Sequence, residues 1–156
     1  MSSPVPNATP EEARTRVCKD HELLRDLTRK LEEVARSALG NERQRSEVRR
    51  VLGELCRHVE QLFAFEESVL LALLREADAW GPVRVEQIVR EHEEQRTILL
   101  ALAEDAEDAA RSTGELADEL LWFARRFSRD MAEEEARFLT PEALGEEVLV
   151  VDQIDG

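Results

Sequence analysis

Tyrosine is absent from this 156-residue chain, and glycine (6), proline (5) and aromatic residues (4%) are scarce. So few turn-formers and flat aromatic side chains argue against a β-sandwich or barrel, whereas 36% charged residues suits the outer faces of helices. Two cysteines, Cys18 and Cys56, are too few for a disulfide framework. Long apolar runs are missing too. Even a run such as Val69 to Leu74 falls far short of the roughly 20 residues that span a bilayer, and none is longer. Basic charge is in deficit, with 21 Lys and Arg against 35 Asp and Glu; the net −14 disfavours nucleic acid and anionic membranes as partners. The opening MSSPVPNATP has no basic stretch followed by an apolar one, so no secretory signal is visible and a cytoplasmic protein is expected. A glycine-framed nucleophile, a phosphate loop and a cysteine–histidine signature are all lacking, which favours binding or sensing over hydrolytic catalysis.

What is present is helical periodicity. Residues 1–8 are polar, proline-rich and expected to be disordered, residues 9–145 to form one bundle, and residues 146–156 to form an acidic and apolar tail. Thr9, Pro10 and Glu12 read as an N-cap, a first-turn proline and a capping-box acid. They open a helix that runs to about Leu39 and stops at Gly40, with Val17, His21, Leu24, Leu27, Leu31, Val34 and Ala38 inward. Asn41 and Gln44 read as the cap of a second helix, continuing to about Ala79 with Val48, Leu52, Leu55, Val59, Leu62, Glu66, Val69 and Leu73 inward. Gly81-Pro82 introduces a third, to about Ser112, with Val85, Ile88, Val89, His92, Leu99, Leu102 and Ala106 inward. After Gly114 a fourth carries Leu116, Leu120, Phe123, Phe127, Met131, Glu134 and Phe138 inward, and Thr140-Pro141-Glu142 caps one further turn. Short connections between long helices predict an all-α, up-down-up-down antiparallel four-helix bundle. The tail fragment VLVV is a candidate contact for a protein partner.

Glu66 and Glu134 stand on these stripes where leucine belongs. A buried, unpaired carboxylate costs several kcal/mol, so each implies a proton, a basic group or a metal as partner. His21 and His92 stand on two other stripes, each about ten residues after a helix start, or roughly 15 Å along the axis. Glu66 lies about a dozen residues before the end of its helix, so it faces His92 across the Gly81-Pro82 turn. Two acids and two imidazoles are thereby expected in one layer of the core. The plainer reading keeps the histidines as core hydrogen-bonders and pairs the acids with Arg96 or Arg126. Glu67 and Glu135 read as solvated face residues.

The motifs Lys19-Asp20-His21-Glu22-Leu23-Leu24, Phe65-Glu66-Glu67-Ser68-Val69-Leu70, Arg90-Glu91-His92-Glu93-Glu94-Gln95-Arg96 and Glu134-Glu135 ahead of Phe138-Leu139 resemble, in order, those of the hemerythrin-like (HHE cation-binding) family. The resemblance covers roughly Glu11 to Pro141. It implies a site for two non-haem irons, bridged by carboxylates and capped by histidines, that binds or reacts with dioxygen or nitric oxide.

Two departures stand out. Four residues before each helix's glutamate the family has a histidine; here those positions are Leu62 and Asp130. Asp130 can still ligate through oxygen, or stand salt-bridged at the surface. His58, one turn before Leu62, serves as a ligand only after a shift of helical register. The candidate metal ligands are therefore His21, His58, Glu66, His92, Asp130 and Glu134, for one or two iron ions. Two functions follow: an iron protein that binds or senses dioxygen or nitric oxide or stores iron, or a metal-free bundle acting as an interaction or regulatory module.

Overall fold

A computed structural model describes residues 8–146, and every statement of structure below concerns these. They form α1 (Pro10–Ala38), a 3-10 turn (Glu42–Gln44), α2 (Arg45–Phe65), a π-helical turn (Glu66–Leu70), α3 (Leu71–Ala77), α4 (Gly81–Glu107) and α5 (Thr113–Phe138). Since α2, the π turn and α3 run on without a break, the described residues make a four-helix, all-α bundle with no strand. No helix among them is long and apolar enough to cross a membrane. The tail fragment VLVV and residues 1–7 lie outside the described residues.

Local chemistry sets the helix ends. Thr9 Oγ1 accepts from the Glu12 amide at 3.1 Å, ahead of Pro10 in the first turn. Ser112 Oγ accepts from the Glu115 amide at 3.0 Å, so α5 starts at Thr113, just before Gly114. Asn41 caps only the 3-10 turn, through the Arg43 amide at 3.1 Å, and Gln44 makes no cap bond. The third long helix is shorter than its expected end near Ser112. Asp108 breaks it by accepting from the Ala110 amide at 2.9 Å. Arg45 then donates to the carbonyls of Asp105 (2.9 Å), Ala106 (3.2 Å) and Asp108 (2.6 Å), adding to the Asp108 amide, which reaches only the Glu104 and Asp105 carbonyls at this helix end. At the α3–α4 turn a side chain on Gly81 would put Cβ 2.1 Å from the Leu74 carbonyl oxygen, so only glycine fits.

The inward stripes hold, with Val34 only half-buried beside the buried Ala35, and with one systematic correction. Up to Glu66 the expected positions are buried, but beyond it Leu70, Leu71 and Leu74 are buried while Val69 and Leu73 are half-buried. The π turn is the cause: its wider i→i+5 loop takes up one extra residue and rotates everything downstream. On α4, Val89 faces solvent, and Gln95 is buried instead. The rest of the core is mainly aliphatic, with Phe63, Phe138 and Met131 among it and Phe123 and Phe127 stacked at 5.4 Å between ring centres.

Candidate metal centre

Each of the four long helical elements delivers one polar side chain into the same layer. His21 on α1, Glu66 at the start of the π turn, His92 on α4 and Glu134 on α5 are all buried, the first two completely. Glu66 lies between the imidazoles. Its Oε2 is 2.7 Å from His92 Nε2, and its Oε1 is 3.8 Å from His21 Nε2. Glu134 Oε1 stands 3.7 Å from the same His21 nitrogen.

Behind each imidazole sits a second carboxylate. Glu135 Oε1 is 3.0 Å from His21 Nδ1, and Glu67 Oε1 is 3.1 Å from His92 Nδ1. Each of these acids is itself held by an arginine: Arg25 donates to Glu135 at 2.8 Å, and Arg96 to Glu67 at 2.7 Å. Burial works against ionising Glu135 and Glu67, but the arginine and histidine hydrogen bonds outweigh it and hold both below the usual carboxylate range. An ionised Glu135 can only accept, so His21 carries its proton on Nδ1 and turns Nε2 inward. Phe63 stacks flat on the His92 ring at 3.8 Å, fixing its plane.

The inner acids behave in the opposite way. Burial raises Glu66 to about 7. Glu134 is raised well above the usual range by burial and then by the charge of Glu66. Glu91, next to His92 in sequence, is raised to about 7 by its own burial and by Asp130 and Glu134.

The donor atoms themselves test whether a cation fits. His21 Nε2, Glu66 Oε1 and Glu134 Oε1 are buried with no hydrogen-bond partner, and the ligand atoms of these three residues lie within 4.8 Å of one another. With both carboxyls ionised, a nitrogen lone pair and two carboxylate oxygens converge and repel one another; a proton on Glu134 or a cation removes that repulsion, and only a cation engages all three atoms at once. Arg96 and Arg126 do not supply it. Arg96 is engaged by Glu60 and Glu67, and Arg126 by Glu94, with Asp130 3.7 Å away. The expected pairing of Glu66 or Glu134 with those arginines is thus not what the core contains.

The remaining expected ligands lie apart from this trio. His58 is half-buried and lines a side cavity of about 140 Å³ between α1 and α2, with Arg16, Asp20, Leu23, Leu24, Gln61 and Leu62. The helix is regular through this stretch, so no register shift carries His58 inward. Asp130 is buried rather than at the surface, accepts from Gln95 Nε2 at 3.2 Å, and has the Arg126 and Arg129 guanidinium groups at 3.7 and 4.0 Å.

Glu67, Glu135 and Gln95 were not legible as site residues from their own stripes. A fainter signal does point to the first two. His21 and Arg25 share the i,i+4 spacing of His92 and Arg96, and each pair faces an adjacent Glu-Glu doublet.

A family model described as the hemerythrin HHE cation binding domain matches residues 15–140. No curated protein and no solved structure matches the chain.

Proposed function

The chain belongs to the hemerythrin HHE cation-binding domain family, and on that premise we propose that it binds non-haem iron in the bundle core, to bind or sense dioxygen or nitric oxide or to store the metal. The observation that carries this reading is the trio of buried, unpartnered donor atoms on His21, Glu66 and Glu134. One imidazole and two carboxylates form a donor set suited to ferrous iron that leaves coordination positions free. When bound, iron supplies one-electron redox chemistry and an open position for a small diatomic ligand.

The chain's own residues do the rest. Glu135, anchored by Arg25, locks the His21 tautomer and makes Nε2 a better donor. Glu66 presents one oxygen to each imidazole and so couples both histidines to the same carboxylate. The aliphatic and aromatic core around them limits water at the site.

Protein purified from iron-replete cells should retain iron, and the reduced, loaded form should change its absorbance on exposure to dioxygen or to nitric oxide. Iron retention with no spectral response to either gas would favour storage. A folded protein that retains no iron and takes up none on reconstitution would overturn the reading.

A further inference from the structure

Resting on the cation-binding reading, we infer that this chain holds one cation rather than the pair that the family resemblance implies, that it sits between His21 Nε2, Glu66 Oε1 and Glu134 Oε1, and that His92 is a positioning residue for Glu66.

The two halves of the site differ in what their donors are already doing. In the His21 half all three inward atoms lack partners, and His21 Nδ1 is tied back to Glu135. In the His92 half, Nε2 is engaged with Glu66 Oε2 at 2.7 Å while Nδ1 meets Glu67. That imidazole is clasped at both ends by consecutive glutamates of the π turn, and the clasp aims the other Glu66 oxygen at the His21 half. A second cation there would have to displace His92 from Glu66.

Asp130, the remaining oxygen donor for such an ion, is also committed. It accepts from Gln95, and the Arg126 and Arg129 guanidinium groups approach it to within 4.0 Å. These fixed positive charges compensate the Asp130 carboxylate and oppose a further cation beside it. Leu62, which stands where the resemblance implies an imidazole, is buried and apolar, so it adds no charge that opposes a cation.

The test is an anaerobic titration of chelator-stripped protein with ferrous ion, repeated with cobalt(II) and read by its visible absorbance, with bound metal counted after equilibrium dialysis. One ion per chain is expected. His21→Gln should lose binding by more than about 100-fold. His92→Gln should still take one ion, with affinity down about 10–100-fold as for an outer-shell partner. Asp130→Asn, close in shape and still able to meet Gln95, should leave the count at one and the affinity within a few-fold. Circular dichroism establishes that each variant is folded, and the count on the unmodified chain decides the matter without any of them. Two ions per unmodified chain overturn the inference while leaving the cation-binding reading intact. So does a lower count in Asp130→Asn, or a His92→Gln loss as complete as that of His21→Gln. No ion bound by the folded, unmodified chain overturns the functional reading and this inference with it.

Discussion

At Glu66 a single carboxylate is completely buried, faces an imidazole with each oxygen, and has no arginine or lysine against it. Without metal that arrangement is strained, because burial first, and then the charges of Glu91, Glu67 and Asp20, disfavour the Glu66 charge by more than the Glu134 hydrogen bond favours it. Glu66→Gln keeps an amide that can donate to or accept from His92 Nε2, and removes the charge. The metal-stripped variant should therefore melt higher than the stripped parent above pH 7, by about 1–3 kcal/mol of stability, while its affinity for ferrous ion falls. A clear loss of stability in the stripped variant would instead identify Glu66 as one partner of a structural network. Leu62 gives a second test at this scale. It is buried one turn before Glu66 and lines the α1–α2 cavity, so a longer polar side chain has space. Leu62→His should add a donor to the His21 half and tighten metal binding at least tenfold, as read by competition with a chelator. Unchanged affinity in a folded variant would mean that this side chain does not reach the cation.

Among the elements, the π turn at Glu66–Leu70 serves the site through Glu66 and the core through Leu70. It takes up one residue more than an α-helix, and it lets Glu66 and Glu67 reach both nitrogens of His92. Ser68 is exposed within it and bonds only the Phe65 carbonyl, at 3.1 Å. Deleting Ser68 should restore an ordinary helix, preserve the inward faces on both sides, and keep or raise the melting temperature while weakening metal binding. A variant that unfolds, or one that binds metal as before, would show the turn to be a packing feature. Gly81→Ala is the opposite case, since its Cβ would meet the Leu74 carbonyl and force the α3–α4 turn apart. At least about 2 kcal/mol should be lost, read by chemical denaturation.

Most of the element plan was legible because it is written in local chemistry: Thr9 with Pro10, Gly81-Pro82, and leucines at three- and four-residue spacing. The π turn was not, since its residues read as continuous helix and only its downstream rotation, Leu70 for Val69 and Leu74 for Leu73, reveals it. For the same reason the burial of His21, Glu66, His92 and Glu134 could be anticipated from their stripes, while the work of Glu67 and Glu135 could not. A residue next to a stripe looks solvated until the partner helix is in place, and here each partner helix brings an imidazole and an arginine.

For the whole molecule, the buried acids make stability depend on pH in a direction set by metal. Glu66 has a folded-state value near 7 against an ordinary value of 4.5, so the native state takes up its proton first. Stripped protein should thus gain stability as pH falls from about 7 towards 5, with Glu134 acting in the same sense. Glu67 and Glu135 are shifted downward, so their ion pairs survive that interval and fail only below the ordinary carboxylate range. Loaded protein should show the reverse trend, because protons compete with the cation for Glu66. The gap between loaded and stripped melting temperatures should narrow from pH 7.5 to 5.5. A stripped protein that loses stability steadily over that interval would contradict the burial of two uncompensated acids.

The central claim is that His21, Glu66 and Glu134 converge on a cation. Anomalous diffraction at the iron edge from iron-loaded crystals tests it most directly. A single peak within bonding distance of His21 Nε2 and of one oxygen each from Glu66 and Glu134 is the expected result. A folded chain with no peak in the core, or with iron bound away from His21, would contradict it.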